Sequence, residues 1–234
     1  MDSIDPDQQR LLAELTARGL ATSGQLQAAL RKSQPTVSRL LTAASAQVLA
    51  LGRGRATRYG VAQPIMGRAA QQPLWWVDEA GQPQRLGTLS LLRADVLHLQ
   101  GPDFEIVTRG QLPWLLQPLV PQGFLGRLLA QRLASTGLGT NPELWGLHDT
   151  LFAALSLTDA PGAIVLGEPV AAPPLPVLKP EQLAQDLDAL AADVAATLPA
   201  GSSAGGEQPK FLAQDADGTP LLVKFSPPRG TPFG

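Results

Sequence analysis

Leu11, Leu12 and Leu15 fall on one stripe of a helix that the spacing predicts over residues 6–18, with Pro6 in its first turn and Gly19 as its stop. Thr22-Ser23-Gly24 is suited to cap a second helix, in which Leu26, Ala29 and Leu30 face inward. A third starts at Ser33-Gln34, has Pro35 near its first position, and buries Val37, Leu40, Leu41 and Ala44. The helical period then gives way to a hairpin: Val48-Leu49-Ala50-Leu51, a turn Gly52-Arg53-Gly54-Arg55-Ala56, and a return strand over 57–61.

Residues 64–73 are polar, with Pro, Gly and Gln, and read as a linker. Four short strands follow, Leu74-Trp75-Trp76-Val77, Arg85 to Ser90, Val96-Leu97-His98-Leu99 and Phe104-Glu105-Ile106-Val107, as an antiparallel meander. Helical spacing recurs near 112–118, 122–134 and 142–155, and Ala163-Ile164-Val165-Leu166 is one more short apolar strand. A Pro-rich segment, 170–179, reads as a semi-rigid linker. Residues 180–198 predict a helix with Leu183, Leu187, Leu190, Val194 and Leu198 as its stripe. A glycine-rich loop over 201–209 then leads into a hairpin, Lys210-Phe211-Leu212-Ala213 and Pro220 to Phe225, turning at Asp215-Ala216-Asp217-Gly218.

Composition narrows the chemistry. In 234 residues there is no cysteine, which excludes disulfides, thiol catalysis and Cys-ligated zinc; the two histidines exclude a His-rich metal site. The first ten residues are acidic and polar and do not read as a signal peptide, and no apolar run is long enough to span a membrane, so a cytoplasmic protein without a membrane partner is expected. The net charge of −2 conceals an asymmetry. No Asp or Glu lies between Leu15 and Val77, a stretch that carries Arg18, Arg31, Lys32, Arg39, Arg53, Arg55, Arg58 and Arg68. A basic first domain on an acidic remainder points to a polyanion; the alternative is a solvated basic face.

Three helices followed by a basic hairpin read as a winged helix-turn-helix. The exposed residues at the start of its third helix are Gln34, Thr36, Ser38 and Arg39, side chains that reach base edges in a major groove. Arg53, Arg55 and Arg58 on the wing are then contacts to phosphates or a minor groove. Double-stranded DNA is the expected partner, with a homodimer as the usual arrangement; the alternative is a winged helix used for protein contacts. His98 and His148 read as hydrogen-bonded or surface residues, and Trp75, Trp76, Trp114 and Trp145 as core. In the C-terminal part, a glycine-rich loop brings backbone N–H groups close to phosphate oxygens, and Lys224 inside an apolar strand calls for an anion.

From about Leu74 to the end, the chain resembles the HipA family of serine/threonine kinases, toxins of bacterial toxin–antitoxin systems. Ser203-Ala204-Gly205-Gly206-Glu207-Gln208-Pro209-Lys210 is similar to the family's Ser-x-x-Gly-x-x-x-Lys loop, and Val223-Lys224-Phe225 to its ATP-binding strand. The resemblance implies an α+β chain: a winged helix-turn-helix (1–63), a small antiparallel-sheet-plus-helices subdomain (74–169), and the start of a kinase-like N-lobe (180–234). It implies ATP and Mg²⁺ as cofactors of the complete kinase. Ser203, with Ser202 beside it, matches the autophosphorylated serine, and Gly205, Gly206, Gln208, Lys210 and Lys224 the nucleotide clamp. The fused winged helix is similar to a subgroup of HipA-like transcriptional regulators. No Asp or Glu follows Asp217, whereas phosphoryl transfer needs a base and carboxylate- or amide-held Mg²⁺. The expectation is therefore the N-terminal portion of such a kinase, without catalytic residues of its own. Its partner would be the missing C-terminal half or an antitoxin. The alternative is a non-catalytic, antitoxin-like or regulator module that binds DNA or a kinase core in trans.

Overall fold

The structure, a computed structural model, describes residues 5–157, 163–169, 176–179, 185 and 210–224. The chain is α+β with antiparallel sheets and divides into two compact units. One comprises Met1–Val120 and Gly146–Val170, the other Pro121–Trp145 and Ala171–Gly234.

The first unit opens with α1 (Pro6–Arg18), where the Asp5 side chain accepts from the Asp7 N–H and Gly19 ends the helix at φ 74°. A two-residue strand, β1 (Ala21–Thr22), runs directly into α2 (Ser23–Leu30). Thr22 and Gln25 close a capping box: the Thr22 N–H donates to Gln25 Oε1 at 2.8 Å, and the Gln25 N–H to Thr22 Oγ1 at 3.3 Å. Arg31 then turns the chain at φ 54°, and α3 (Gln34–Ala43) follows. β2 (Val48–Leu51) and β3 (Arg58–Val61) form the hairpin, and β1 joins β3 to give a sheet in the order β1-β3-β2. The apolar stripes of all three helices meet in one core: Leu11, Leu15, Leu26, Leu30, Val37, Leu40, Leu41 and Ala44, with Val48 and Val61 from the hairpin. Lys32 Nζ binds Asp7 Oδ2 at 2.6 Å, tying the start of α1 to the turn before α3; that contact holds the Asp7 carboxyl below its usual value.

The same unit contains a five-stranded antiparallel sheet in the order β7-β6-β5-β4-β8. Its strands are β4 (Gln71–Val77), β5 (Pro83–Leu92), β6 (Val96–Gln100), β7 (Glu105–Arg109) and β8 (Ile164–Leu166). β4 starts three residues earlier than the sequence pattern places it, because Gln71 and Gln72 already pair with Ser90 and Leu89. Register decides the faces. Leu89 and Leu91 lie across from Leu99 and Leu97 on one face, while Ser90 and Leu92 lie across from His98 and Val96 on the other. Leu92 and Val96 pack with Leu51 and with Leu20 and Leu49, so the second face of the sheet receives the three-helix element. The helical stretch expected over 142–155 is interrupted: a short 3₁₀ turn (Pro142–Leu144) precedes α5 (Leu147–Ala154), which starts afresh with the Asp149 side chain accepting from the Gly146 N–H at 3.1 Å.

The second unit contains α4 (Gly123–Leu133) and a hairpin of β9 (Lys210–Gln214) and β10 (Pro220–Lys224). The Asp215 side chain accepts from the Asp217 and Thr219 N–H groups and so fixes the turn. Val177 adds a parallel bridge to Gln214. The expected helix over 180–198 lies outside the described residues except for Gln185, which is helical. Among the described residues, no helix is long and apolar enough to cross a membrane.

Candidate nucleic-acid interface

The surface of α3 is sorted by its period. Val37, Leu40 and Leu41 are buried, while Gln34, Ser38, Arg39 and Thr42 are exposed on the opposite side. Thr36 is half-buried, its hydroxyl 3.0 Å from that of Ser33, which uses its side chain there instead of on a helix cap. Thr42 Oγ1 donates to the Ser38 carbonyl at 3.0 Å. The exposed face is thus polar and carries one positive charge, Arg39.

The hairpin tip has Gly52 at φ 80° and Gly54 at φ 56°, conformations that glycine adopts without strain. A 3₁₀ turn (Gly54–Ala56) is tied by the Thr57 hydroxyl, which donates to the Gly54 carbonyl at 2.8 Å. This presents Arg53 and Arg55 to solvent.

The eight basic residues of the acid-free stretch separate into two groups. Arg18 pairs with Glu14 at 3.0 Å, Lys32 with Asp7 and Arg58 with Glu105, each at 2.6 Å, and Arg68 stacks over Phe152 at 5.2 Å. Arg31, Arg39, Arg53 and Arg55 make no ion pair among the described residues, and all four are exposed. They lie in the α2–α3 turn, on α3 and on the hairpin tip. Arg31 is not among the candidates that the sequence singles out; its position beside the turn between the two helices is the available signal.

Arg58 is separated from the other hairpin arginines. Its guanidinium reaches the sheet and binds Glu105 Oε1. The same oxygen accepts from His98 Nε2 at 2.8 Å. A carboxylate can only accept, so Nε2 carries the proton. His98 is 1% exposed, a buried hydrogen-bonded residue. The His98 hydrogen bond, followed by the nearby Arg58 charge, holds the Glu105 carboxyl below its usual value against an opposing effect of burial. His148 bonds instead to Gln63 and Asp95, at 3.2 and 3.0 Å.

The tryptophans correct the expectation that all four are core. Trp114 is 74% exposed and Trp76 47%, because Trp114 sits on a 3₁₀ turn and Trp76 on the outward side of β4. Trp75 and Trp145 are half-buried.

Of the nucleotide candidates, the backbone places Lys210 and Lys224 directly opposite each other in the β9–β10 register. Ser202, Ser203, Gly205, Gly206 and Gln208 lie outside the described residues.

Residues 68–173 match a protein-family model described as "YjjJ-like toxin, middle domain". The chain is also similar to "Toxin YjjJ" of Escherichia coli (strain K12), with 34% identity over 231 residues, covering 94% of this chain and 52% of that relative. The chain therefore spans about half the length of the curated relative it matches. No solved structure matches it. These findings correct the resemblance to the HipA kinases: both matches carry the YjjJ-type toxin description. The matched segment holds the five-stranded sheet and, separately, α4 and α5, where the sequence pattern gives strands and helices and no chemistry.

Proposed function

We propose that this chain is the DNA-addressing part of a toxin-type protein. In this reading the first 63 residues are a winged helix-turn-helix, with α2 and α3 as the helix pair and β2–β3 as the wing. α3 enters a major groove, where Gln34, Ser38 and Arg39 meet base edges and Thr36 supports the first turn. Arg53 and Arg55 rest on phosphates, while Arg58 is turned from the hairpin tip toward Glu105. The observation that carries the reading is the placement of the four arginines without an ion pair among the described residues: Arg31, Arg39, Arg53 and Arg55 all belong to the turn, helix and hairpin tip that a duplex would touch. The toxin part rests on the similarity to the E. coli relative of that name.

Titrating duplex binding against salt tests this directly. Affinity should fall steeply with ionic strength, and Arg55→Ala should lower the log–log slope by about one while weakening all sequences alike. Gln34→Ala should relax preference at one base pair by about 1–3 kcal/mol. An affinity indifferent to salt removes the reading.

A second, separate reading concerns the hairpin. Lys210 and Lys224 are register partners in the β9–β10 pair, a placement that sets two basic residues at one level of the ladder. With the Gly/Ser-rich sequence just before Lys210, this supports a nucleotide-phosphate site that ATP with Mg²⁺ would fill. A calorimetric titration with ATP should give binding that Lys224→Ala abolishes; equal heats from both proteins would end this reading.

A further inference from the structure

We propose that a groove where the helix-turn-helix meets the five-stranded sheet is a phosphate site, and that it takes a backbone phosphate of the duplex read by α3. The inference rests on the DNA reading above and deepens it. The groove has a volume of about 410 Å³; its polar lining is Arg18 at the end of α1, Thr22 and Gln25 at the start of α2, Arg58 of β3 and Thr108 and Arg109 of β7, beside the apolar Leu20, Val96 and Val107. Three arginines from three different elements therefore border one space.

Each is held in place by a contact that leaves most of its donors over. Arg18 Nε binds Glu14 Oε2 at 3.0 Å, Arg58 binds Glu105 Oε1 at 2.6 Å, and Arg109 donates to the Arg18 carbonyl. A guanidinium has five N–H donors in a planar fork that matches phosphate oxygens two at a time. Three cations against two carboxylates leave the groove positive, and an anion relieves the repulsion among them.

The position of the groove selects the source of the phosphate. In a helix-turn-helix, the first helix of the pair crosses the sugar–phosphate backbone while the second enters the groove. Here the first helix is α2, and Thr22 and Gln25 at its start form one wall. Arg58 is the neighbour of Thr57, which ties the hairpin tip bearing Arg53 and Arg55. A phosphate in the groove would thus continue the track laid by the wing. Arg109 comes from the sheet, so the sheet would become part of the DNA surface as well as its support.

The test titrates duplex binding against salt for the full chain, Arg109→Ala and Arg18→Gln. Each variant should bind about three- to tenfold more weakly with the slope lowered by about one, while base preference stays unchanged. Arg109→Ala also loses the contact to the Arg18 carbonyl; if it fails to fold, the half-exposed Arg18→Gln decides alone. Wild-type binding with a normal slope, matched by both variants, overturns the groove and leaves the DNA reading standing. Absence of any salt-dependent duplex binding by the wild type overturns the DNA reading instead, and the groove assignment with it. Inorganic phosphate, followed by thermal shift without DNA, separates the two sources. If the variants lose protection by phosphate yet keep full duplex affinity, the site takes a free phosphate and the duplex assignment is overturned.

Discussion

Glu105 serves two donors with one oxygen, and that sharing fixes what its replacement should do. Glu105→Ala leaves the buried His98 Nε2 without its acceptor and releases Arg58, so it should cost about 1–3 kcal/mol in a denaturant titration. The cost belongs at the lower end, because the carboxylate is a third exposed. The sign of its pH dependence follows from the lowered carboxyl value. The contribution is complete above the ordinary carboxylate range and is lost as pH falls from there through the depressed value of the folded state. Glu105→Gln should therefore flatten part of the acid-side loss of melting temperature. Only part is expected, since Asp7 and Asp78 are lowered in the same direction. An acid limb identical to the wild type's would remove Glu105 from this role.

Among the elements, α1 and β3 depend on the absence of a side chain where they approach the sheet. A Cβ at Gly19 would stand 2.4 Å from Val96 Cγ2 and 3.1 Å from the Arg93 carbonyl, with the backbone at φ 74°. A Cβ at Gly60 would stand 2.7 Å from both the Gly19 carbonyl and Leu92 Cδ1. Gly19→Ala should thus destabilise by about 1–3 kcal/mol, since strain at a positive φ and a clash add. Thr22→Ala, which removes only the cap of α2, should cost about 1 kcal/mol. A thermal unfolding series that ranks the two the other way would show that the helix–sheet seam is looser than these distances state.

At the scale of the molecule, the charge asymmetry gains a structural meaning. Residues 1–63 carry a net +4 and the rest −6, and the part of that positive charge without an ion pair among the described residues faces outward on the turn, α3 and the hairpin tip. The three-helix element is also not self-sufficient in its packing. Leu20, Leu49 and Leu51 lie against Leu92 and Val96 of the sheet. A chain ending at residue 63 should therefore melt well below the intact protein and expose those leucines to a hydrophobic dye. Equal melting temperatures would show that the seam contributes little to its stability.

The helices of the first 44 residues were legible because capping residues, glycine stops and a 3.6-residue apolar period are local signals, and the exposed face of α3 followed from the same period. The four-strand meander was legible for a similar reason. The pairing of β8 beside β4, and of β1 beside β3, was not, because two- and three-residue strands carry too few positions to show alternation. The fate of Arg58 was equally hidden: its partner Glu105 is 47 residues away, and only the packing of the hairpin on the sheet brings the two together. The sequence by itself settled that Gln34, Ser38 and Arg39 face outward on α3, since exposure on a helix depends on neighbours three and four residues apart. Which arginines lack an ion pair among the described residues, and which border one groove, was decided by the tertiary structure, because ion pairs form across distances in the chain that no local pattern records.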